Sequence, residues 1–292
     1  MNQATAQKTV YLNGEYLPLE EARIPVLDRG FIFGDGIYEF IPVFDRIPFR
    51  MHEHYQRLER SLAAVRIPNP FDEAAFAALV ARLVDSHPWD NQGIYVHITR
   101  GVAPRDHSFP KNIKPTVFMM SNQLVLPTQM QIEEGLAVVT REDIRWLRCD
   151  VKSISLLGHC MLRNEATDQG CAEVIMLRDG FLTEASSSNV MVVRNGVVLC
   201  PPKDNLILPG ISYNVVLELL NSHHIPHEVR PVSAAELHSA DEVWITSSTK
   251  DVLAVTHMDG KPVGTGKPGP LFARVRALFL GLKAQLKAAS HD

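Results

Sequence analysis

The sequence predicts a protein of two α/β domains, and three observations predict it. At 292 residues, with 46% hydrophobic and 21% charged side chains, the chain has the makeup of a folded globular protein and the length for two modest domains. Short β-rich runs alternate with amphipathic helical stretches on both sides of a connection at 121–131, "SNQLVLPTQMQ", which carries polar amides and a proline. No glycine-rich dinucleotide loop follows the first strand, so one doubly wound sheet fits less well. The boundaries expected are a small N-terminal α/β domain over 1–124, a linker over 125–130 and a larger C-terminal domain over 131–292.

The elements follow in order. "TVYLNGEYLP" gives two strands around Asn13-Gly14, the strongest short hairpin signal. "RGFIFGDGIYEFIPVFDRIPFR" shows strand-like alternation around a turn at Asp45-Arg46. "HEHYQRLERSLAAVRI" places Leu58, Leu62 and Val65 at helical spacing, and "FDEAAFAALVARLVDS" is a second helix with Asp72 as N-cap. "GIYVHITRG" and "PTVFMMS" are strands. The second half opens with strand "GLAVVT" and runs through Lys152 into the helix "LLGHCMLRNEATDQG", closed by Gly170. Strands "AEVIML" and "NVMVV" flank turns at Asp179-Gly180 and Asn195-Gly196. A helix starts at Ile211, strand "DEVWITSST" ends in hydroxyls, and "PGPLFARVRALFLGLKAQLKAA" is a C-terminal amphipathic helix.

A formal net charge of −4 gives no reason to expect nucleic acid or an anionic membrane as partner. The four cysteines form no C-x-x-C pair, and no metal site is expected; His223, His224 and His227 lack an acidic partner and regular spacing. The first residues, "MNQATAQKTV", lack the basic-then-apolar pattern of a secretory leader, and a reducing cytoplasm is the expected compartment.

The chemistry starts at "RCDVKSISLL" (148–157), where Lys152 stands among Val151, Ile154, Leu156 and Leu157, side chains that favour burial. A desolvated lysine loses its charge and becomes a nucleophile suited to Schiff-base chemistry; a lysine on an alternating strand otherwise faces solvent. "TEASSSNV" offers one acid, Glu184, before three serines and an asparagine. "ILPGIS" puts Gly210 and the amides of Ile211 and Ser212 at a helix start, where an anion can sit. "TSST" adds hydroxyls and Arg57 a positive charge. Each signal is weak alone; their order and spacing together are specific.

Taken together, "DRGFIFGDGIYE" (28–39), "EHYQRL" (53–58), "TRGVAPRDHSFP" (99–110), "EDIRWLRCDVKS" (142–153), "TEASSSNV" (183–190), "LPGIS" (208–212) and "TSST" (246–249) resemble the fold-type IV pyridoxal-phosphate transaminases over nearly the whole chain, and within them the D-amino-acid transaminase branch. The resemblance implies a two-domain α/β (α+β) fold whose larger C-terminal domain is a cofactor-binding pseudo-barrel. It implies that Lys152 bonds the pyridoxal 5'-phosphate aldehyde and moves the substrate proton. It also implies that Glu184 pairs with the pyridine nitrogen, that Ser187, Ser188 and Asn189 flank the cofactor and that Leu208 packs on the ring. Arg57, Ile211, Ser212, Ser248 and Thr249 would hold the phosphate. Tyr38, Arg105 and His107 would trap the substrate carboxylate, the last two from a loop of a partner subunit, hence a homodimer. The implied reaction joins D-alanine and 2-oxoglutarate to pyruvate and D-glutamate. Branched-chain L-amino-acid transaminase, aminodeoxychorismate lyase and (R)-amine transaminase share the fold as alternatives, and a non-catalytic pyridoxal-phosphate carrier is the alternative from another class.

Overall fold

In the computed structural model, which describes residues 8–289, the chain divides into two units. The seven residues before them, part of the stretch read as lacking a leader, lie outside the described residues. The first unit comprises residues up to Val125 together with Val151–Ser155; the second comprises Leu126–Asp150 and Leu156 onward.

The first unit contains strands β1 (Thr9–Leu12) and β2 (Glu15–Pro18), helix α1 (Arg29–Phe33), strands β3 (Gly36–Phe44) and β4 (Ile47–Pro48), helices α2 (Met51–Ala64) and α3 (Glu73–Asp85), and strands β5 (Gln92–Thr99) and β6 (Thr116–Gln123). Its six strands form one antiparallel sheet in the order β2-β1-β6-β5-β3-β4. Asn13 and Gly14 both take positive φ, as do Asp45 and Arg46, the conformation that tight hairpin turns require. Asp72 caps α3 by accepting from the Ala75 amide at 2.8 Å, worth about 1 kcal/mol. Alternation along β3 sends Ile37, Glu39 and Ile41 to a face covered by Tyr55, Leu58 and Leu62 of α2 and Phe76 and Val80 of α3, and leaves Tyr38 half-buried on the other face.

The second unit holds α4 (Gln129–Glu133), β7 (Leu136–Glu142), α5 (Leu157–Asp168), β8 (Glu173–Arg178), β9 (Phe181–Ala185), β10 (Asn189–Arg194), β11 (Val197–Cys200), α6 (Ile211–Ser222), β12 (His227–Val229), α7 (Ala234–His238), β13 (Glu242–Ser247), β14 (Asp251–Met258), β15 (Lys261–Pro262) and α8 (Pro270–Ala289). Its sheet runs β12-β11-β10-β13-β14-β7-β8-β9, with β15 on β14. Fully buried Val192, Val243 and Ile245 belong to its core. Among the described residues no helix is long and apolar enough to cross a membrane.

Three local expectations need correction. The stretch from Arg29 opens with a helical turn instead of a strand: Asp28 caps it by accepting from the Gly30 amide at 2.8 Å, and Gly34, at φ +65°, ends it. Lys152 is not in a continuing strand. Its segment makes short bonds to β3, with Tyr38 N–H donating to Lys152 O at 2.9 Å and Ile154 N–H to Gly36 O at 3.1 Å, while Leu157 begins α5 and is 75% exposed. The connection at 121–131 carries the end of β6 and the start of the short helix α4, which a reciprocal Thr128/Gln131 cap opens.

Candidate active site

In the first unit, Val151 and Ser153 are buried and pin Lys152 between them. The Lys152 amide donates to Ser61 Oγ at 3.3 Å, and its half-buried Nζ lies 4.1 Å from the centre of the Tyr38 ring. Among the described residues no carboxylate stands within salt-bridge distance of this amine, so Nζ is held by an aromatic face instead of an acid.

Arg57 is buried on α2 and engages Glu39 of β3 through two bonds, Nε to Oε2 at 2.9 Å and a second nitrogen to Oε1 at 2.5 Å. His54, one helical turn earlier and fully buried, places Nδ1 3.0 Å from Glu39 Oε1. Burial works against an ionised Glu39, but the charge of Arg57 and the bond from His54 hold its carboxyl far below the usual range. Burial lowers the His54 imidazole, against the pull of Glu39. Nε2 of His54 is buried without a hydrogen-bond partner. Arg105 and His107 sit on an exposed loop, and both meet Phe33: the Arg105 guanidinium is 5.5 Å from its ring centre and the His107 ring centre 5.5 Å from it. Tyr38 therefore joins Lys152, while Arg105 and His107 join Phe33.

In the second unit, Glu184 is buried at the end of β9. It accepts from Arg145, from Asn189 Nδ2 at 3.1 Å and from the Leu208 amide at 3.1 Å. Arg145 is itself buried, forks onto Asp143 at 2.9 and 2.8 Å and donates to Leu206 O at 3.1 Å. Burial still pushes the Glu184 carboxyl up to about 7, against the charge and hydrogen bond of Arg145. Such a carboxylate gains from a second cationic donor.

Asn189 Nδ2 also donates to Leu208 O at 2.9 Å, which fixes the approach to α6. A Cβ on Gly210 would lie 2.1 Å from Asn189 Oδ1, so a side chain there must displace Asn189 or the helix start. Gly210 gives α6 no side-chain cap, and Ile211 and Ser212 occupy its first turn. Ser248 and Thr249 are half-buried in the turn between β13 and β14. Ser187 donates to Glu173 Oε2 at 3.0 Å, and Lys250 Nζ donates to Ser187 and Ser188, each at 3.3 Å. The supporting charges are less visible in the sequence: Glu39 and Glu173 stand at strand positions that alternation sends to the core, whereas His54 lies on α2 and Asp143, Arg145 and Lys250 lie in connections that carry no period.

The first unit thus offers an amine on an aromatic ring, and the second a buried carboxylate paired with Arg145 and a glycine-led helix start, groups that a phosphorylated pyridine aldehyde can use. The comparisons agree. Residues 36–258 match the family described as amino-transferase class IV. The D-alanine aminotransferase of Bacillus licheniformis is 39% identical over 91% of this chain and 94% of its own, and that of Staphylococcus epidermidis 37% over 92% and 96%. Among solved structures, a branched-chain amino acid aminotransferase of Escherichia coli superposes with a TM-score of 0.88 at 24% identity, covering 94% of each chain. The chain belongs to the class IV aminotransferase family: it is an aminotransferase, and enzymes of this class depend on pyridoxal phosphate.

Proposed function

We propose that the protein transfers the amino group of D-amino acids, with D-alanine and 2-oxoglutarate giving pyruvate and D-glutamate, through a site led by Lys152. The observation that carries the reading is the Lys152 amine, packed on the Tyr38 ring with no carboxylate partner among the described residues. Similarity to relatives named D-alanine aminotransferase over more than nine-tenths of the chain supports the substrate class.

The residues present fit pyridoxal phosphate. When bound, this cofactor supplies a protonated pyridine ring that takes up the electron pair left as a Cα–H bond breaks. Glu184 would face the ring nitrogen, where a cation offsets its burial. Arg57, Ser248, Thr249 and the first amides of α6, at Ile211 and Ser212, would grip the phosphate. Leu208 would lie against the ring, with Ser187, Ser188 and Asn189 at its border. Lys152 would hold the cofactor covalently through Nζ. The same Nζ would serve as the base that takes the Cα proton and gives it back. Tyr38 and His107 would hydrogen-bond the substrate α-carboxylate, and Arg105 would present its planar fork to it.

Arg105 and His107 belong to a loop that we assign to the neighbouring subunit's site, so the working enzyme is a homodimer. Four cysteines without disulfides suit a cytoplasmic enzyme. The test is an amino-transfer assay with D-alanine, L-leucine and (R)-1-phenylethylamine, each against 2-oxoglutarate. Turnover of D-alanine in preference to the other two supports the reading; preference for L-leucine overturns the D-specific part. Lys152→Ala removes turnover and the visible absorption of bound cofactor, and an active Lys152→Ala enzyme overturns the whole.

A further inference from the structure

The loop bearing Arg105 and His107 is exposed, yet its backbone is held from below. Arg29 of α1 is only 3% exposed. Its Nε pairs with Asp35 at 2.7 Å. One terminal nitrogen donates to Asp106 O at 2.5 Å and to Ser108 O at 3.4 Å, and the other to His107 O at 3.5 Å. A single guanidinium thus serves three successive carbonyls of the loop. Asp35 is in turn gripped by both Arg29 and Arg100, which hold its carboxyl below its usual range although burial pushes it up. Phe33, one turn after Arg29, receives Arg29 on its ring at 4.8 Å and meets both Arg105 and His107. Phe109, at the loop's far end, lies 3.5 Å from the Arg100 guanidinium and 5.0 Å from that of Arg66. Helix α1 is fixed to β5, where Thr99 Oγ1 donates to Asp28 Oδ2 at 3.0 Å.

We propose that Arg29 and Phe33 are positioning residues for amino transfer: they set the place from which Arg105 and His107 present their donors to a substrate α-carboxylate. This rests on the assignment of Arg105 and His107 made above. An exposed loop would otherwise lose orientational freedom each time a carboxylate docks; a fork onto its carbonyls and a ring beneath its two donors remove that freedom beforehand. Lysine cannot replace Arg29, because a single ammonium does not span three carbonyls.

The experiment compares holoenzymes carrying Phe33→Leu, Phe33→Tyr, Arg29→Lys and Arg105→Ala, reading KM and kcat for D-alanine beside the affinity for pyridoxal phosphate. Phe33→Leu raises KM roughly tenfold, as loss of the ring contacts to Arg29, Arg105 and His107 implies. Phe33→Tyr, which keeps the ring, restores it. Arg29→Lys also raises KM, and in all three variants cofactor affinity stays at the wild-type value. Adding Phe33→Leu to Arg105→Ala raises KM no further. If Arg105→Ala raises KM while neither Phe33→Leu nor Arg29→Lys does, the positioning role is wrong and the carboxylate assignment stands. If Arg105→Ala leaves KM unchanged, the assignment itself fails and this inference with it. Cofactor affinity falling in step with KM in Phe33→Leu and Arg29→Lys means general damage to the fold and also overturns the proposal.

Discussion

Glu184 carries the clearest pH signature of any residue in the candidate site, because burial pushes its carboxyl from 4.5 up to about 7. The unfolded chain gives up this proton first as pH rises, so between about 4.5 and 7 the folded state binds more protons than the unfolded one. Stability therefore falls with rising pH across that window and levels off above it, by roughly 3 kcal/mol in the limit. Glutamine mimics the protonated acid, so cofactor-free Glu184→Gln should gain on the wild type by up to that amount between pH 5 and pH 8 in urea unfolding. A difference that does not change with pH would contradict the burial reading. Lys152 and Glu184, the residues on which the proposal rests, stand out in the sequence as a lysine in an apolar run and an acid before three serines. Their supporting residues do not. Arg145 reaches Glu184 across 39 positions, a pairing that spacing does not announce.

At the scale of elements, β3 and α2 are joined through a buried Glu39–Arg57–His54 cluster. Glu39→Gln would remove the buried carboxylate that Arg57 and His54 engage, at a cost of about 3–5 kcal/mol. Chemical denaturation measures it, and a loss below 1 kcal/mol would mean that water reaches the cluster. The start of α6 gives a second expectation. Gly210→Ala drives a Cβ against Asn189, which is held by Glu184 and Leu208. Affinity for pyridoxal phosphate should fall at least about tenfold with secondary structure intact, since Asn189 or the helix start must shift; titration followed by cofactor absorbance checks it. The longer elements were legible because their apolar periodicity spans several turns. Helices α1 and α4, five residues each, offer too few repeats for a period to declare itself, and only their caps mark them. The backbone at Lys152 looked like strand because its apolar neighbours alternate; Val151 enters the first unit's core, while Leu157 opens a helix on an exposed face.

For the whole molecule, each unit exposes large apolar side chains that water does not favour. Val26 and Phe31 are 73% and 71% exposed in the first, and Leu147 and Leu157 61% and 75% in the second. The proposed homodimer would cover such residues; on that reading Phe31→Glu together with Leu157→Glu should give a monomer in sedimentation velocity, with D-alanine turnover lost because Arg105 and His107 would no longer reach a neighbouring site. A double variant that stays dimeric would exclude these residues from the interface. The pairing of subunits is not written in periodicity, because a face that binds a second copy has the same apolar pattern as a poorly covered one. The central claim is the covalent role of Lys152, and peptide mass mapping after borohydride reduction of the protein loaded with pyridoxal phosphate tests it most directly. The account predicts the reduced cofactor on the peptide containing Lys152; its attachment to Lys250 or another lysine, or to none, would contradict it.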